Sequence, residues 1–504
     1  MNVIGVLKNI RKNGFKKTYK KYCNKKKHET AKQVLLAEKK KIESLEKENF
    51  PDDKINDIKD SVATINKIKK NLTNEELLSF LVPVVEVLKQ ARKNLTNEGQ
   101  KTIYNDLVEE INNIEKKNGY RAYIKEKYIK HILPETYNTR RNGKIEKKML
   151  FMQPRSGLNQ SCRFMYNTIK KQKKYTPILF ELYRDKGCTT EYYENARLWV
   201  FELATARACF VHESNDLLGY VDIRPETKIV QLFHGCGIIK RLGLGSAGRK
   251  GFKTLSDYEE YPEYNKYDLA TISSPELLWV FEDFTGIKRS QNIIQPIGVS
   301  RTDEFFDEKY IQNCYKKIHS IIPESRDKKI ILYAPTYRGL GKNRVAPNKL
   351  DFDLFAEKLK DDYILIIKQH QTVKDLPPIP YEYNNSFAFD MTRGKGMNIN
   401  ELMTVSDICI SDYSSLVYEY SLFERPTIAF AFDIDEYTAD RGVYYPLEES
   451  FPGPIFKTNE EVVEYIENID KYFDKEFVKA FKNKFMSACD GQSTQRILDW
   501  IEAN

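Results

Sequence analysis

The sequence has no long apolar run and no paired cysteines, and each absence excludes a class of protein. No apolar segment approaches the roughly 20 residues that a membrane-spanning helix needs, and the amino terminus lacks the apolar core and cleavage site of a secretion signal. The eight cysteines are scattered, without a C-x-x-C pair or a histidine at companion spacing. This argues against a zinc site and a disulfide framework. We therefore expect a protein of the reducing cytoplasm.

The length and charge of the chain exclude fewer classes of protein than its apolar runs and cysteines do. The 504 residues are enough for about two or three domains. Lysine and arginine number 81 against 72 acidic residues, so an acidic partner is expected: a phosphate polymer, an anionic membrane or a nucleic acid. The basic residues are concentrated in the first segment and no RNA-binding aromatic motif is present. We therefore expect no nucleic-acid partner, although a basic membrane- or nucleic-acid-binding scaffold stays the alternative outside enzymes.

Residues 1–28 form a basic segment with ten lysines and arginines and no acidic residue. Its apolar side chains recur at steps of three and four: Val3, Leu7, Ile10, Phe15, Tyr19 and Tyr22. This pattern is typical of an amphipathic helix lying on an anionic membrane surface. A solvated tail, or a helix packed on the rest of the protein, remains the alternative.

Residues 29–133 are rich in lysine and glutamate, have helical periodicity and contain almost no glycine. We predict an accessory helical domain without catalytic residues. Thr73 to Glu76 has the form of a capping box, and K-N-L-T-N-E occurs at 70–75 and at 93–98, which indicates two equivalent helix starts. A coiled-coil arm is an alternative, but the heptads are not sustained.

From residue 134 onward, short apolar strands alternate with helices, which predicts parallel sheets covered by helices. The predicted strands are 148–152, 177–183, 208–212, 228–233, 329–334, 363–368, 407–410 and 427–432, and the predicted helices include 162–171, 192–206, 352–360, 398–405 and 416–423. We infer an α/β fold with two Rossmann-like domains, 134–300 and 301–504, after the α-helical N-terminal region. The helical runs 460–469 and 476–488 are expected to cross back onto the first domain.

The pentapeptide Ser411-Asp412-Tyr413-Ser414-Ser415 lies between a predicted strand and a predicted helix. Hydroxyl groups and one carboxylate thus come to the carboxyl end of a strand, where α/β proteins bind phosphate. Helix capping alone is the alternative. We expect Ser414 and Ser415 to bind a phosphorylated ligand.

Two of the six histidines follow predicted strands, and a histidine's ordinary pKa suits a general base. His234 follows the strand 228–233 and His370 follows 363–368, so both are candidate catalytic residues at the ligand edge of a sheet. The others, His28, His131, His212 and His319, lie outside any motif and are assigned to surface or packing roles. Six cations are candidate phosphate clamps, with an ordinary salt bridge as the alternative for each one alone: Lys240, Arg301, Arg338, Lys368, Arg425 and Arg441.

In their order along the chain, these segments resemble the CDP-glycerol glycerophosphotransferase family, from about Lys147 to the C-terminus. The segments are Phe233-His234-Gly235 with Lys240, Gly298 to Asp303, Tyr333 to Arg338, Lys368-Gln369-His370, the Ser411–Ser415 motif, Arg425-Pro426 and Arg441-Gly442. The resemblance implies two facing domains of glycosyltransferase-B type, His234 as the base on the acceptor hydroxyl, and His370 on the diphosphate side. It makes the diphosphate of the donor the ligand of Ser414 and Ser415, and it gives Asp412 a supporting polar role there. It also places Asp303 with the cations among the substrate-binding residues. It also implies CDP-glycerol as donor, a lipid-linked or polymeric polyol-phosphate acceptor, and a peripheral position on the cytoplasmic face of the cell membrane.

The chain departs from the family pattern at both histidines. The common motif His-Gly-Thr-Pro-Leu-Lys is one residue longer here, with Cys236 to Ile239 before Lys240, and Gln371 replaces the proline after His370. Glycerol and ribitol donors, and primases and polymerases, therefore stay open, as does a nucleotide-sugar glycosyltransferase on the same architecture. No cofactor beyond the donor is expected, and metal dependence and oligomeric state stay open.

Two further patterns are weak as motifs. The sequence Gly243-Leu-Gly245-Ser-Ala-Gly248 satisfies G-x-G-x-x-G but follows its strand at a distance, so we interpret it as a mobile basic loop rather than a dinucleotide site. Asp433-Ile-Asp435 resembles a metal-binding D-x-D, and we assign it a structural role with no metal ligand.

Overall fold

The protein is described by a computed structural model over residues 15–47, 54–93, 95, 98–154, 157–182, 188–213, 215–233, 235–249, 254–260, 263–339, 343–370, 373–393 and 396–504. His234 and the first half of the predicted membrane segment lie outside these ranges. Within them, no helix is both long enough and apolar enough to cross a bilayer.

The N-terminal region is a bundle of helices: Phe15–Lys47, Ile55–Ile68, Asn74–Lys93, Glu98–Glu115, Tyr120–Lys127 and Leu133–Asn138. Thr73 and Glu76 bond reciprocally, since Glu76 N donates to Thr73 Oγ1 and Thr73 N donates to a Glu76 carboxylate oxygen. The predicted capping box is therefore confirmed. In the second copy of the repeat, residues 94, 96 and 97 lie outside the described residues.

The bundle packs on the first α/β unit through the helix Thr190–Leu203. Its buried contacts include the Tyr128 hydroxyl, which donates to Glu194, and Glu115, which accepts from Thr190 N at 2.8 Å. The bundle and this helix thus share one continuous core.

The first sheet has six parallel strands in the order β2-β1-β3-β4-β5-β6. They are β1 Lys148–Gln153, β2 Thr176–Glu181, β3 Ala208–Val211, β4 Lys228–Gln231, β5 Leu269–Thr271 and β6 Ile294–Gln295. The connecting helices are Gln160–Gln172, Thr190–Leu203, Leu255–Glu260 and Leu278–Thr285. The interior strand β1 is buried at every position, as expected for a parallel sheet covered on both faces.

The second sheet is also parallel and six-stranded, in the order β12-β11-β10-β7-β8-β9. Its strands are β7 Lys329–Tyr333, β8 Tyr363–Ile367, β9 Ala388–Asp390, β10 Ile408–Ser411, β11 Thr427–Phe430 and β12 Ile455–Phe456. Its helices are Glu308–Ile321, Phe352–Leu359, Ile399–Val405, Leu416–Tyr420, Ile434–Arg441, Leu447–Ser450, Asn459–Glu467, Ile469–Tyr472 and Lys475–Phe485. From β7 the chain adds β8 and β9 on one side and then β10, β11 and β12 on the other, which is the strand order of the doubly wound dinucleotide-binding fold. In that fold, ligands bind at the carboxyl ends of the two adjacent strands where the order reverses. Here those strands are β7 and β10.

A last helix, Ser493–Ala503, returns to the first sheet. Its Ile497, Leu498 and Ile501 are buried with Met149 of β1 and Phe210 of β3. The predicted return of the run 476–488 to the first domain is confirmed, since Ser273 Oγ donates to Phe485 O at 2.7 Å and Ala488 N donates to Ser273 O at 2.9 Å. The return expected for the run 460–469 was wrong. The helix Asn459–Glu467 instead packs on Phe352–Leu359 beside the second sheet, because its buried valines face that core.

Candidate active site

Asp412 joins the ends of β7 and β10. Its side chain is 1% exposed, and Oδ1 accepts from Thr336 N at 2.8 Å and from Tyr413 N at 2.7 Å. Its other oxygen, Oδ2, lies 3.0 Å from Arg338 Nη1. One buried carboxylate thus fixes both motifs, 333–338 and 411–415, at the switch point of the sheet.

Arg338 lies between two carboxylates. Its Nε and Nη2 donate to the two oxygens of Asp433 at 2.6 and 2.9 Å, while Nη1 is paired with Asp412. Burial lowers the pKa of Arg338, but Asp433 and Asp412 outweigh it and raise the pKa above the ordinary arginine value. The guanidinium is therefore a permanent cation held mainly by the protein itself, which is a scaffold role.

Asp433 has the structural role predicted for it. Besides Arg338 it accepts from the Tyr413 hydroxyl at 3.0 Å. Among the described residues, no group of three or more histidine, cysteine or acidic side chains is placed to hold a metal ion.

Aromatic rings bring residues of the two α/β units together. Tyr413 and Tyr437 stack with centroids 3.8 Å apart. Lys240, from the first unit, places Nζ 5.5 Å from the Tyr437 ring and 5.9 Å from the Tyr337 ring. The His370 ring meets the Tyr337 ring edge-on at 4.9 Å, and His370 itself is exposed. Lys240 and His370 therefore lie around one tyrosine at the mouth of the crevice.

Backbone pairing fixes Lys240 in this position. Tyr444 N donates to Ile239 O at 2.9 Å, and Arg241 N donates to Gly442 O at 3.1 Å. Gly442 has φ +67° and follows the last residue of the helix Ile434–Arg441. The side chain of Arg441 lies outside the described residues, so its predicted phosphate contact stays a prediction.

The glycine-rich stretch 243–248 differs from the expected mobile loop. Residues Gly243–Ser246 form a short 3₁₀ helix packed on the helix Leu278–Thr285. A Cβ atom on Gly245 would lie 2.1 Å from Asp283 Oδ2, which shows how closely the backbone approaches its neighbour. Residues 243–246 are therefore a packed short helix rather than a loop, because glycine here permits tight packing, and their mobility stays a prediction.

Ser414 and Ser415 stand beside the segment that contains His234. A Cβ atom on Gly235 would lie 2.9 Å from Ser415 Oγ, and Phe233 has the left-handed backbone angle φ +56°. Ser414 Oγ accepts from Leu416 N at 3.4 Å, so this hydroxyl also serves the capping role considered above. His234 itself lies outside the described residues, and its predicted role stays a prediction.

Two predicted substrate-binding residues have partners away from the crevice cluster. Asp303 accepts from Ser493 N at 3.1 Å and Thr494 N at 2.7 Å, and thereby caps the last helix. Burial raises the pKa of Asp303. Arg425 donates from Nη1 to the carbonyls of Thr404 and Ser406, at the end of the helix Ile399–Val405.

Arg301 and Lys368 also have partners within the protein. Arg301 is 8% exposed, donates to Asn400 Oδ1 at 2.7 Å and lies 3.7 Å from Glu419 Oε1. Lys368 Nζ donates to two backbone carbonyls, at 2.5 and 2.9 Å, and burial lowers its pKa.

Sequence reasoning missed the tyrosines and Glu419. Tyr337 and Tyr413 lie within the motifs, so their positions carried a signal. The roles of Tyr437 and Glu419 depend on tertiary contacts that no local pattern encodes.

Two facing Rossmann-like sheets, with a lysine, a histidine and two serines gathered at their crevice, define a protein of the glycosyltransferase-B architecture. A family model described as CDP-Glycerol:Poly(glycerophosphate) glycerophosphotransferase matches residues 136–503. The chain belongs to this family of transferases, as the sequence motifs predicted.

Relatives of known role are teichoic acid enzymes. The teichoic acid ribitol-phosphate primase of Bacillus spizizenii is 31% identical over 352 residues, which cover 69% of this chain and 88% of that protein. The teichoic acid poly(ribitol-phosphate) polymerase of the same organism is 31% identical over 67% of this chain, but this chain spans only 53% of that protein. Glycerol-phosphate primases and polymerases also match.

The fold has a counterpart among solved structures. The wall teichoic acid polymerase TagF superposes with a TM-score of 0.60 at 24% identity, covering 76% of this chain and 96% of that one. This similarity supports the two-domain fold.

Proposed function

We propose that this protein transfers a polyol phosphate from its CDP ester to a lipid-linked or polymeric teichoic-acid-type acceptor and releases CMP. The observation that carries the proposal is the family match over residues 136–503, which spans both sheets and the crevice between them. In the reaction, an acceptor hydroxyl attacks the phosphorus that bears the polyol. The bond from this phosphorus to the bridging oxygen breaks, CMP leaves with that oxygen, and the hydroxyl proton passes to a base.

The proposed base is His234, as the family resemblance implies. His370 and Lys240 are placed on the diphosphate side, and their common contact with Tyr337 supports that assignment. Ser414 and Ser415 would bind the diphosphate, since positioning and charge stabilisation supply most of the catalysis in phosphoryl transfer. The proposal includes no cofactor beyond the donor and leaves metal dependence open, which turnover measured with and without a chelator of divalent cations decides.

Glycerol phosphate is the polyol that the sequence analysis favoured, and ribitol phosphate is the alternative. The two relatives described above are named for ribitol phosphate, and others for glycerol phosphate. Incubation of the full chain with CDP-glycerol, CDP-ribitol and UDP-sugars, each with a lipid-linked acceptor, separates these donors. We expect CMP from one CDP-polyol. Release of UDP without CMP would overturn the proposal in favour of a glycosyltransferase.

Matched histidine variants test the catalytic assignment. His370→Ala and His234→Ala should each lower turnover by roughly two to four orders of magnitude, while calorimetry still detects binding of the CDP-polyol. His131→Ala is the control, because His131 is an exposed histidine of the helical region and should leave turnover unchanged. Normal turnover in a folded His234→Ala protein would contradict its role as the base.

A position on the cytoplasmic face of the membrane is also proposed. Among the described side chains of the helix Phe15–Lys47, the buried apolar ones begin at Ala31. The lysines described before that point are exposed: Lys20, Lys21, Lys25, Lys26 and Lys27. Each basic residue near an anionic leaflet contributes about 1 kcal/mol of attraction.

Charge reversal of basic residues tests the proposed membrane location better than deletion of residues 1–28, because the deletion would cut through the helix Phe15–Lys47. Changing Lys25, Lys26 and Lys27 to glutamate should reduce sedimentation with phosphatidylglycerol vesicles at low salt. The matched control reverses Lys170, Lys171 and Lys173, three exposed lysines on the first α/β unit. Equal sedimentation of both variants would place membrane attachment elsewhere.

A further inference from the structure

Residues 235–237, one position after His234, lie directly on the first turn of the helix Leu416–Tyr420. A Cβ atom on Gly235 would come within 2.9 Å of Ser415 Oγ, and one on Gly237 within 2.2 Å of the Tyr418 ring. Tyr418 is completely buried, and the rings of Phe481 and Phe485 pack against its ring. Glycine at these positions therefore allows the loop to lie against the helix that follows Ser414 and Ser415.

A buried carboxylate completes this contact. Glu419 is 1% exposed, and its Oε1 accepts from Cys236 N at 3.3 Å. Arg301 Nη1 lies 3.7 Å from the same oxygen, and Arg301 Nη2 donates to Asn400. The arginine supplies the positive charge that a buried carboxylate requires.

We infer that Glu419 is a positioning residue, which holds the backbone of Cys236, two positions after His234 in the sequence, on the helix that begins at the Ser414–Ser415 turn. Glu419 thereby joins the loop at residues 235–237, which follows the proposed base, to the Ser414–Ser415 turn that is proposed to bind the diphosphate. The contact connects the two α/β units. Arg301 acts through Glu419 in this arrangement rather than as a phosphate clamp. The consequence for turnover rests on the proposed function, whereas the attachment of the loop does not.

Alkylation of Cys236 in the full chain measures the attachment directly. The thiol is 1% exposed, so it reacts with iodoacetamide only when the loop opens. In Glu419→Ala the amide loses its acceptor, and mass spectrometry of the labelled peptides should show Cys236 reacting several-fold faster than in the wild type. Glu419→Gln retains a side-chain oxygen as acceptor and should stay close to the wild-type rate.

Two controls separate loop opening from general destabilisation. Cys209, fully buried in β3, should keep its alkylation rate in every variant. Glu194→Ala removes another buried carboxylate, one bonded to Tyr128 and Arg197, and should leave the rate of Cys236 unchanged. If Glu419→Ala does not fold, the double variant Glu419→Met/Arg301→Met provides the same test, because it removes the ion pair without leaving a buried charge.

Kinetics test the consequence for the reaction. Glu419→Ala should lower kcat by roughly up to a hundredfold, as displacement of a reacting group does, with little change in the affinity for the CDP-polyol, and Glu419→Gln should restore most of the loss. An unchanged rate of Cys236 alkylation in Glu419→Ala would overturn the attachment, and faster alkylation with undiminished kcat would overturn the positioning role. A wild-type protein inactive on every CDP-polyol would overturn the proposed function instead, so the failures are distinguishable.

Discussion

Replacing Arg338 with methionine should destabilise the second α/β unit strongly. The side chains of Arg338, Asp412 and Asp433 are only 18%, 1% and 19% exposed, so solvent screens their interactions weakly. Removing one partner of a buried ion pair costs about 3 to 5 kcal/mol, because the remaining charge is left uncompensated. Asp412 keeps its two backbone donors, so we expect the lower end, about 3 kcal/mol of unfolding free energy. For a unit of about 200 residues this corresponds to a Tm lower by about 6 to 12 °C.

Differential scanning calorimetry of the full chain measures this shift. Arg289→Met is the control, because its ion pair with Glu282 involves an arginine that is 54% exposed and should contribute less than about 1 kcal/mol. Arg338→Lys should not restore stability, since one ammonium group cannot form the paired bonds of the guanidinium. Adding Asp433→Asn to Arg338→Met should recover part of the loss. A wild-type Tm for Arg338→Met, together with loss of donor binding, would show that Arg338 is a phosphate clamp and refute the scaffold role.

Three further predictions concern residues with partners inside the protein. Asp303→Ala removes the cap of the last helix and should cost about 0.5 to 2 kcal/mol in denaturant titration with unchanged donor affinity; a weakened donor affinity at normal stability would instead support a substrate contact. Gly237→Ala forces a methyl group into the Tyr418 ring and should cost about 1 to 3 kcal/mol, so an unchanged denaturation midpoint would contradict the packing. Because burial lowers the pKa of Lys368 below the ordinary 10.5, the folded state binds fewer protons than the unfolded chain between the two pKa values, and stability from this residue rises with pH in that window. The unfolding free energy of the wild type should therefore increase as the pH approaches 10.5, and that of Lys368→Met should lack this increase. Identical pH profiles of stability for the wild type and the variant would show that the lysine is not desolvated.

The two-sheet α/β fold was predictable because its central strands carry strong signals. All eight predicted strands are present, with small shifts at their ends, since they are apolar runs bounded by helices. The four missed strands are the short ones: β5, β6, β9 and β12. Segments of two or three residues have no measurable periodicity, and they become strands only because a neighbouring strand supplies hydrogen bonds. The last helix, Ser493–Ala503, was missed as well, since the return to the first domain was expected of the runs 460–469 and 476–488.

The site was predictable in its location but less so in its contacts. Strand ends and residue types predicted Asp412, Ser414, Ser415 and His370 as site residues, and the histidine motif of the family predicted Lys240. The sequence could not show that Arg338 pairs with Asp433, which lies 95 positions away. A cation at a strand end is equally suited to a phosphate or to a carboxylate of the protein itself, and only tertiary contacts distinguish the two.

The first sheet can be fully covered only after the last helix, Ser493–Ala503, has been synthesised. Ile497, Leu498 and Ile501 cover part of the first sheet, yet they are synthesised about 200 residues after its last strand, β6 at Ile294–Gln295. A ribosome adds about 5 to 20 residues per second, so one apolar face of the first sheet remains partly uncovered for on the order of ten seconds or more during synthesis. We therefore expect chaperones or proteases to recognise this apolar face in nascent chains. Prematurely terminated chains that lack the last helix should be recognised most.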